Sequence, residues 1–113
     1  DVMVDADISA GSKVKFAFSK DDGTVWNVFN NETQLFEVIN LTEQEVESSG
    51  NTSDELMGVT SDKWDEFLLI EQGQVPELNV YANQIKFAIF MKKSSVVDTL
   101  SLNRLRVDFK EGI

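Results

Sequence analysis

Apolar and polar residues alternate with a period of two along most of this chain, and the clearest run lies over residues 14–29. There Val14, Phe16 and Phe18 alternate with Lys13, Lys15 and Ala17, Asp22 and Gly23 mark a reversal, and Trp26 and Val28 alternate with Asn27 and Phe29. Period-two patterning on both sides of an Asp-Gly turn predicts a β-hairpin. Ahead of it, Val2, Val4, Ala6 and Ile8 alternate with Met3, Asp5 and Asp7 until Ala10-Gly11-Ser12, which predicts a half-buried strand. Behind it, residues 34–41 place Leu35, Glu37, Ile39 and Leu41 on one face and Phe36 and Val38 on the other, a strand covered on both sides.

The pattern then breaks. Residues 42–60 have few large apolar groups and no sustained period, which predicts a long loop with one helical turn at 53–56 capped by Ser53. Residues 61–68 begin with Ser61 and acids and then space Trp64, Phe67 and Leu68 as a short capped helix does, although a strand beginning at 67–71 fits the pattern equally. Pro76, the single proline, makes Val75 extended, and Leu78 and Val80 predict a short strand. Ile85, Phe87, Ile89 and Met91 alternate with Lys86, Ala88 and Phe90. After a polar turn, 96–102 is weakly extended, and over 104–110 Leu105, Val107 and Phe109 point inward in a final strand. Seven or eight short strands with one short helix predict a single all-β domain over residues 1–113, an antiparallel, jelly-roll-like β-sandwich.

Composition narrows the chemistry. The 113 residues suffice for one core, and 42% hydrophobic residues with 8 Phe and 2 Trp can fill it. With no Cys there are no disulfides, thiolate metal sites or cysteine nucleophiles. With no His the commonest general base and the usual zinc ligand are missing too. Without those groups we expect neither catalysis nor a cofactor. Acid pairs suitable for glycoside hydrolysis carry no signal among 20 Asp plus Glu. Calcium needs six to eight oxygen ligands. Asp5, Asp7, Asp21 and Asp22, or Glu43, Glu45 and Glu47 splayed along a strand, are the donors on offer, but no DxDxDG loop is present. A solvated surface is the simpler reading of these acids.

The net charge of −10 argues against nucleic acid and anionic membranes as partners. No apolar run approaches the roughly 20 residues of a transmembrane helix. A strand pattern that starts at once, with neither a leader nor an initiating Met, suggests a piece of a longer polypeptide in a virion or extracellular setting. The sequons at Asn31, Asn40 and Asn51 matter only on a eukaryotic secretory route.

The hairpin turn, Ser19-Lys20-Asp21-Asp22-Gly23-Thr24-Val25-Trp26, resembles the Asp-box of sialidases and many unrelated β proteins. Ser19, Asp21, Gly23 and Trp26 match its pattern, and Val25 stands where the family usually has Thr. The resemblance implies a turn braced by an Asp side chain and anchored by the aromatic. It does not imply sialidase activity, which belongs to a much longer propeller with an arginine cluster. In layout the chain is similar to β-sandwich modules of bacteriophage tail, baseplate and fibre proteins, with an early strand, this hairpin, and a closing pair of apolar strands (IKFAIFM, then LNRLRVDF). That likeness implies a non-catalytic structural or accessory module working through protein contacts.

Charge is distributed unevenly, which two solvated faces of differing sign explain most simply and which also offers a contact site. Residues 37–71 hold ten acids against Lys63 alone, while residues 86–110 hold six bases against two acids. The acidic stretch over 42–65 is expected to meet a basic face at Lys92, Lys93, Arg104 and Arg106, in a copy of the chain or another protein, with a homo-oligomer as the expected form. The alternative is a carbohydrate-binding module that stacks sugars on exposed aromatics. Tyr81 is its chief candidate, with Trp64 or Trp26; both tryptophans also have structural roles, Trp26 anchoring the hairpin and Trp64 seating the short helix.

Overall fold

A computed structural model describes residues 2–20, 23–68, 85–93 and 100–107. They form six strands and three short helices: β1 (Val2–Ile8), β2 (Lys13–Ser19), β3 (Trp26–Asn30), β4 (Leu35–Ile39), α1 (Glu43–Ser49), α2 (Ser53–Met57), α3 (Ser61–Leu68), β5 (Lys86–Lys92) and β6 (Leu100–Val107). The chain is mostly β, as its alternation predicts. The strands make two antiparallel sheets, a ribbon of β1 and β6 and a four-stranded sheet in the order β4-β3-β2-β5. The apolar strands β5 and β6, read from sequence as a closing pair, therefore lie in different sheets.

The central strands β2 and β3 are covered on both faces because they carry apolar residues at both parities, whereas β4, expected from sequence to be covered on both sides, is largely exposed. On one face Val14, Phe16, Phe18, Phe29 and Phe36 meet Leu56, Val59, Trp64 and Phe67 from α2, α3 and their connection, together with Val2, Val4, Leu102 and Leu105 of the ribbon. Phe18 is fully buried at the centre, with ring centroids of Trp64, Phe67 and Phe36 at 4.9, 5.2 and 5.8 Å in edge-on arrangements. Each such pair contributes about 0.5–1.5 kcal/mol beyond area burial. On the other face Ala17 and Val28 pack under Val46 of α1, with Trp26, Ile39, Ala88 and Phe90 around them.

The expected loop over 42–60 is instead two helices. Thr42 caps α1, its Oγ1 accepting from the Glu45 N–H at 3.1 Å. Thr52, not Ser53, caps α2: its hydroxyl accepts from Glu55 N–H, and the Glu55 carboxylate accepts from Thr52 N–H at 2.9 Å, a complete capping box. The expected helix at 61–68 is present, with its cap one residue earlier than Ser61, where Thr60 Oγ1 accepts from Lys63 N–H at 3.3 Å. Glu43, Glu45 and Glu47 thus lie on a helix, and the expected splay along a strand does not occur.

A buried asparagine ties α1, α2 and the sheet together. Strands β2 and β3 pair at Phe18 and Asn27. Farther along, Asn51 inserts between them: its backbone exchanges two hydrogen bonds of 2.8 Å with Phe16, and its side-chain amide exchanges two with Phe29, at 2.8 and 2.7 Å. One residue thus satisfies backbone groups of two strands, as a short intervening strand would.

Candidate functional site

At the hairpin, Ser19, Gly23 and Trp26 of the Asp-box-like stretch have structural roles. Ser19 is fully buried, and its Oγ accepts from the Gly23 N–H at 2.9 Å. Gly23 takes φ +93°, with the Trp26 ring in van der Waals reach of where a Cβ would stand. Asp21 and Asp22 lie outside the described residues.

The expected basic face divides between the two sheets. Arg104 and Arg106 lie on the ribbon, opposite Asp5 and Met3. Lys92 ends β5 and Lys93 follows it, exposed. The β2–β5 register sets Lys92 directly opposite Lys13, a like-charge cross-strand pair that is unfavourable alone. Glu47 of α1 resolves it, with one carboxylate oxygen 3.1 Å from Lys13 Nζ and 3.6 Å from Lys92 Nζ. The Lys13 hydrogen bond, aided by the Lys92 charge and opposed by partial desolvation, holds the Glu47 carboxyl below its usual range. The acidic stretch and the basic strand therefore meet within one chain at this point.

Alongside this bridge an open groove of about 890 Å³ runs between α1 and β5, lined by Leu41, Val46, Ala88, Phe90 and Met91 and rimmed by Glu43, Glu47 and Lys92. Ile89 and Met91 on β5 are 41% and 44% exposed, and Leu35 and Val38 on β4 are 61% and 70% exposed. Among the described residues β4 and β5 are the two edges of the four-stranded sheet, so both edges present large apolar side chains to solvent. Exposed apolar edge strands are what β proteins ordinarily blunt.

The aromatic platform fares differently. Trp64 is 5% exposed within the main core, which removes it as a sugar-stacking surface and corrects its place among the candidate binding residues. The physical reason is α3, which turns the Trp64 ring towards Phe18 and Phe36. Trp26 packs beside Val28 under α1. Tyr81 lies outside the described residues. Among the described residues, no three acidic side chains converge as a cation site would need, and no helix is long and apolar enough to cross a membrane.

The edge residues Val38, Ile89 and Met91 escape a sequence reading of function because alternation marks them as core. Their exposure depends on which strands end the sheet. No protein family, curated protein or solved structure matches the chain.

Proposed function

We propose that this chain is a non-catalytic module that acts through protein–protein contacts, a structural or accessory domain of an assembly of the phage-tail kind. The observation that carries the reading is the pair of apolar edges on the four-stranded sheet, one of them beside an open groove. Strand edges with exposed apolar side chains offer both unpaired backbone groups and buried area to a partner. The core cluster shared by the ribbon and the four-stranded sheet supports reading the fold as a jelly-roll-like sandwich. Lys92, Lys93, Arg104 and Arg106 supply the positive side of such contacts on a chain of net charge −10.

Size-exclusion with light scattering across protein and salt concentration tests this reading. The expected result is an oligomer that loosens as salt rises, since exposed charge pairs are screened within about 10 Å at 0.1 M. A monomer at every concentration and every salt contradicts it.

A further inference from the structure

We infer that the partner of each sheet edge is the opposite edge of a second copy, so that β5 of one copy pairs with β4 of the next and the four-stranded sheet continues from chain to chain. The inference rests on the protein-contact reading above and names its partner.

Charge selects this pairing over the others. Edge β5 carries Lys86 and Lys92, with Lys93 just beyond, whereas β4 carries Glu37, with Glu32 ahead of it. Two β5 strands paired antiparallel about Ile89 would set each Lys86 opposite Lys92 of the other copy, a like-charge contact at both ends. Two β4 strands paired about Glu37 would set the two Glu37 carboxylates against each other. Pairing β5 with β4 sets lysine against glutamate instead.

Strand direction agrees. Neighbours in the order β4-β3-β2-β5 are antiparallel throughout, so β4 and β5 run in opposite directions. A copy placed beside the first without being turned over brings its β4 against β5 in antiparallel sense, and the alternation continues unbroken.

Register agrees as well. On β5, Phe87, Ile89 and Met91 share the face of Phe16 and Phe18, and Phe36 and Val38 share that face on β4. The register that opposes Lys92 to Glu37 keeps the faces matched and sets Met91 opposite Val38 and Phe90 opposite Ile39. The groove between α1 and β5 lies alongside this edge. Because the two edges are different surfaces of one sheet, the contact is heterologous and propagates as a ring or filament rather than closing at two copies.

The test uses Val38→Lys and Met91→Lys, two substitutions at exposed positions, in sedimentation velocity at low salt with native mass spectrometry. The native chain is expected to grow beyond dimer with concentration, and each variant alone to remain monomeric. An equimolar mixture leaves one native edge of each kind, with the two introduced lysines facing each other at the blocked contact, and is expected to give a 1:1 heterodimer and nothing longer. Circular dichroism and unchanged melting confirm that both variants fold. Assembly of either variant alone, or a mixture that stays monomeric while the native chain assembles, overturns the edge-to-edge contact and leaves the protein-contact reading standing. A native chain that never assembles overturns both.

Discussion

The Asn51 side chain closes a two-way hydrogen-bond exchange with the backbone of Phe29, Nδ2 donating to the carbonyl at 2.7 Å and Oδ1 accepting from the N–H at 2.8 Å. Both residues are buried, at 2% and 3% exposure, so water cannot replace either bond. Replacing Asn51 with Ala leaves two buried backbone groups unsatisfied and should destabilise the fold by about 2 to 4 kcal/mol, read as a shift in the urea midpoint.

Asn51→Asp refines that prediction through pH. The carboxylate still accepts from the Phe29 N–H but has no proton for the Phe29 carbonyl, so the folded state favours the protonated acid and raises its pKa. The native state then holds more protons than the unfolded one across the carboxylate range, and stability falls as pH rises through it. Asn51→Asp should therefore be closer to the native chain in stability near pH 4 than near pH 7. Equal losses at both values would contradict the paired geometry.

Gly50 places Asn51 in its gap. A Cβ there would lie 2.3 Å from the Val46 carbonyl oxygen and 3.2 Å from that of Phe16, both backbone atoms. Gly50→Ala should cost about 1 to 3 kcal/mol, the range for overpacking. At Gly58 the closest approach is 3.2 Å, to the Asp54 carbonyl oxygen, and φ is −80°. Gly58→Ala should cost markedly less, and thermal melts of the two variants side by side decide the point.

Glu47 bridges Lys13 and Lys92, and its folded pKa is lowered. For a carboxylate with a lowered folded pKa, the stabilisation is present above the unfolded value, near 4.5, and is lost as pH falls through the folded one. Glu47→Gln should accordingly flatten the acid limb of the stability profile below about pH 4.5 while lowering stability at neutral pH. Chemical denaturation at stepped pH measures this, and parallel profiles for native and variant would contradict the bridge.

The Thr52–Glu55 capping box gives a local prediction. Thr52→Ala should cost about 1 kcal/mol, while Thr52→Ser, which keeps the accepting oxygen, should cost much less. Hydrogen exchange at the Glu55 amide should rise in the alanine variant alone.

Where the sequence is legible, the reason is alternation on both sides of a turn. Strands β1 to β4, β5 and the helix at 61–68 follow from spacing alone. The α1–α2 region is hidden because each helix buries a single large apolar residue, Val46 and Leu56, too few to show a helical period. The available signal is Thr-x-x-Glu, present at Thr42 with Glu45 and again at Thr52 with Glu55. Strand β6 reads as two segments because of a bulge. Asp5 faces Arg104 while Ala6 faces Leu102, so Asn103 is the extra residue and the inward parity switches from Leu100 and Leu102 to Leu105 and Val107. The candidate edges are illegible for another reason, since sheet order rests on pairings between strands far apart in sequence, as for β2 with β5.

The absence of cysteine from the chain makes one measurement especially direct, because any introduced thiol is unique. Val38→Cys and Met91→Cys chains, mixed in equal amounts at low salt and oxidised gently, report which edges meet. Pairing of β5 with β4 predicts that the disulfide joining position 38 of one copy to position 91 of another forms in large excess over the 38–38 and 91–91 products. Predominance of either symmetric product, or only the statistical mixture of all three, would contradict it.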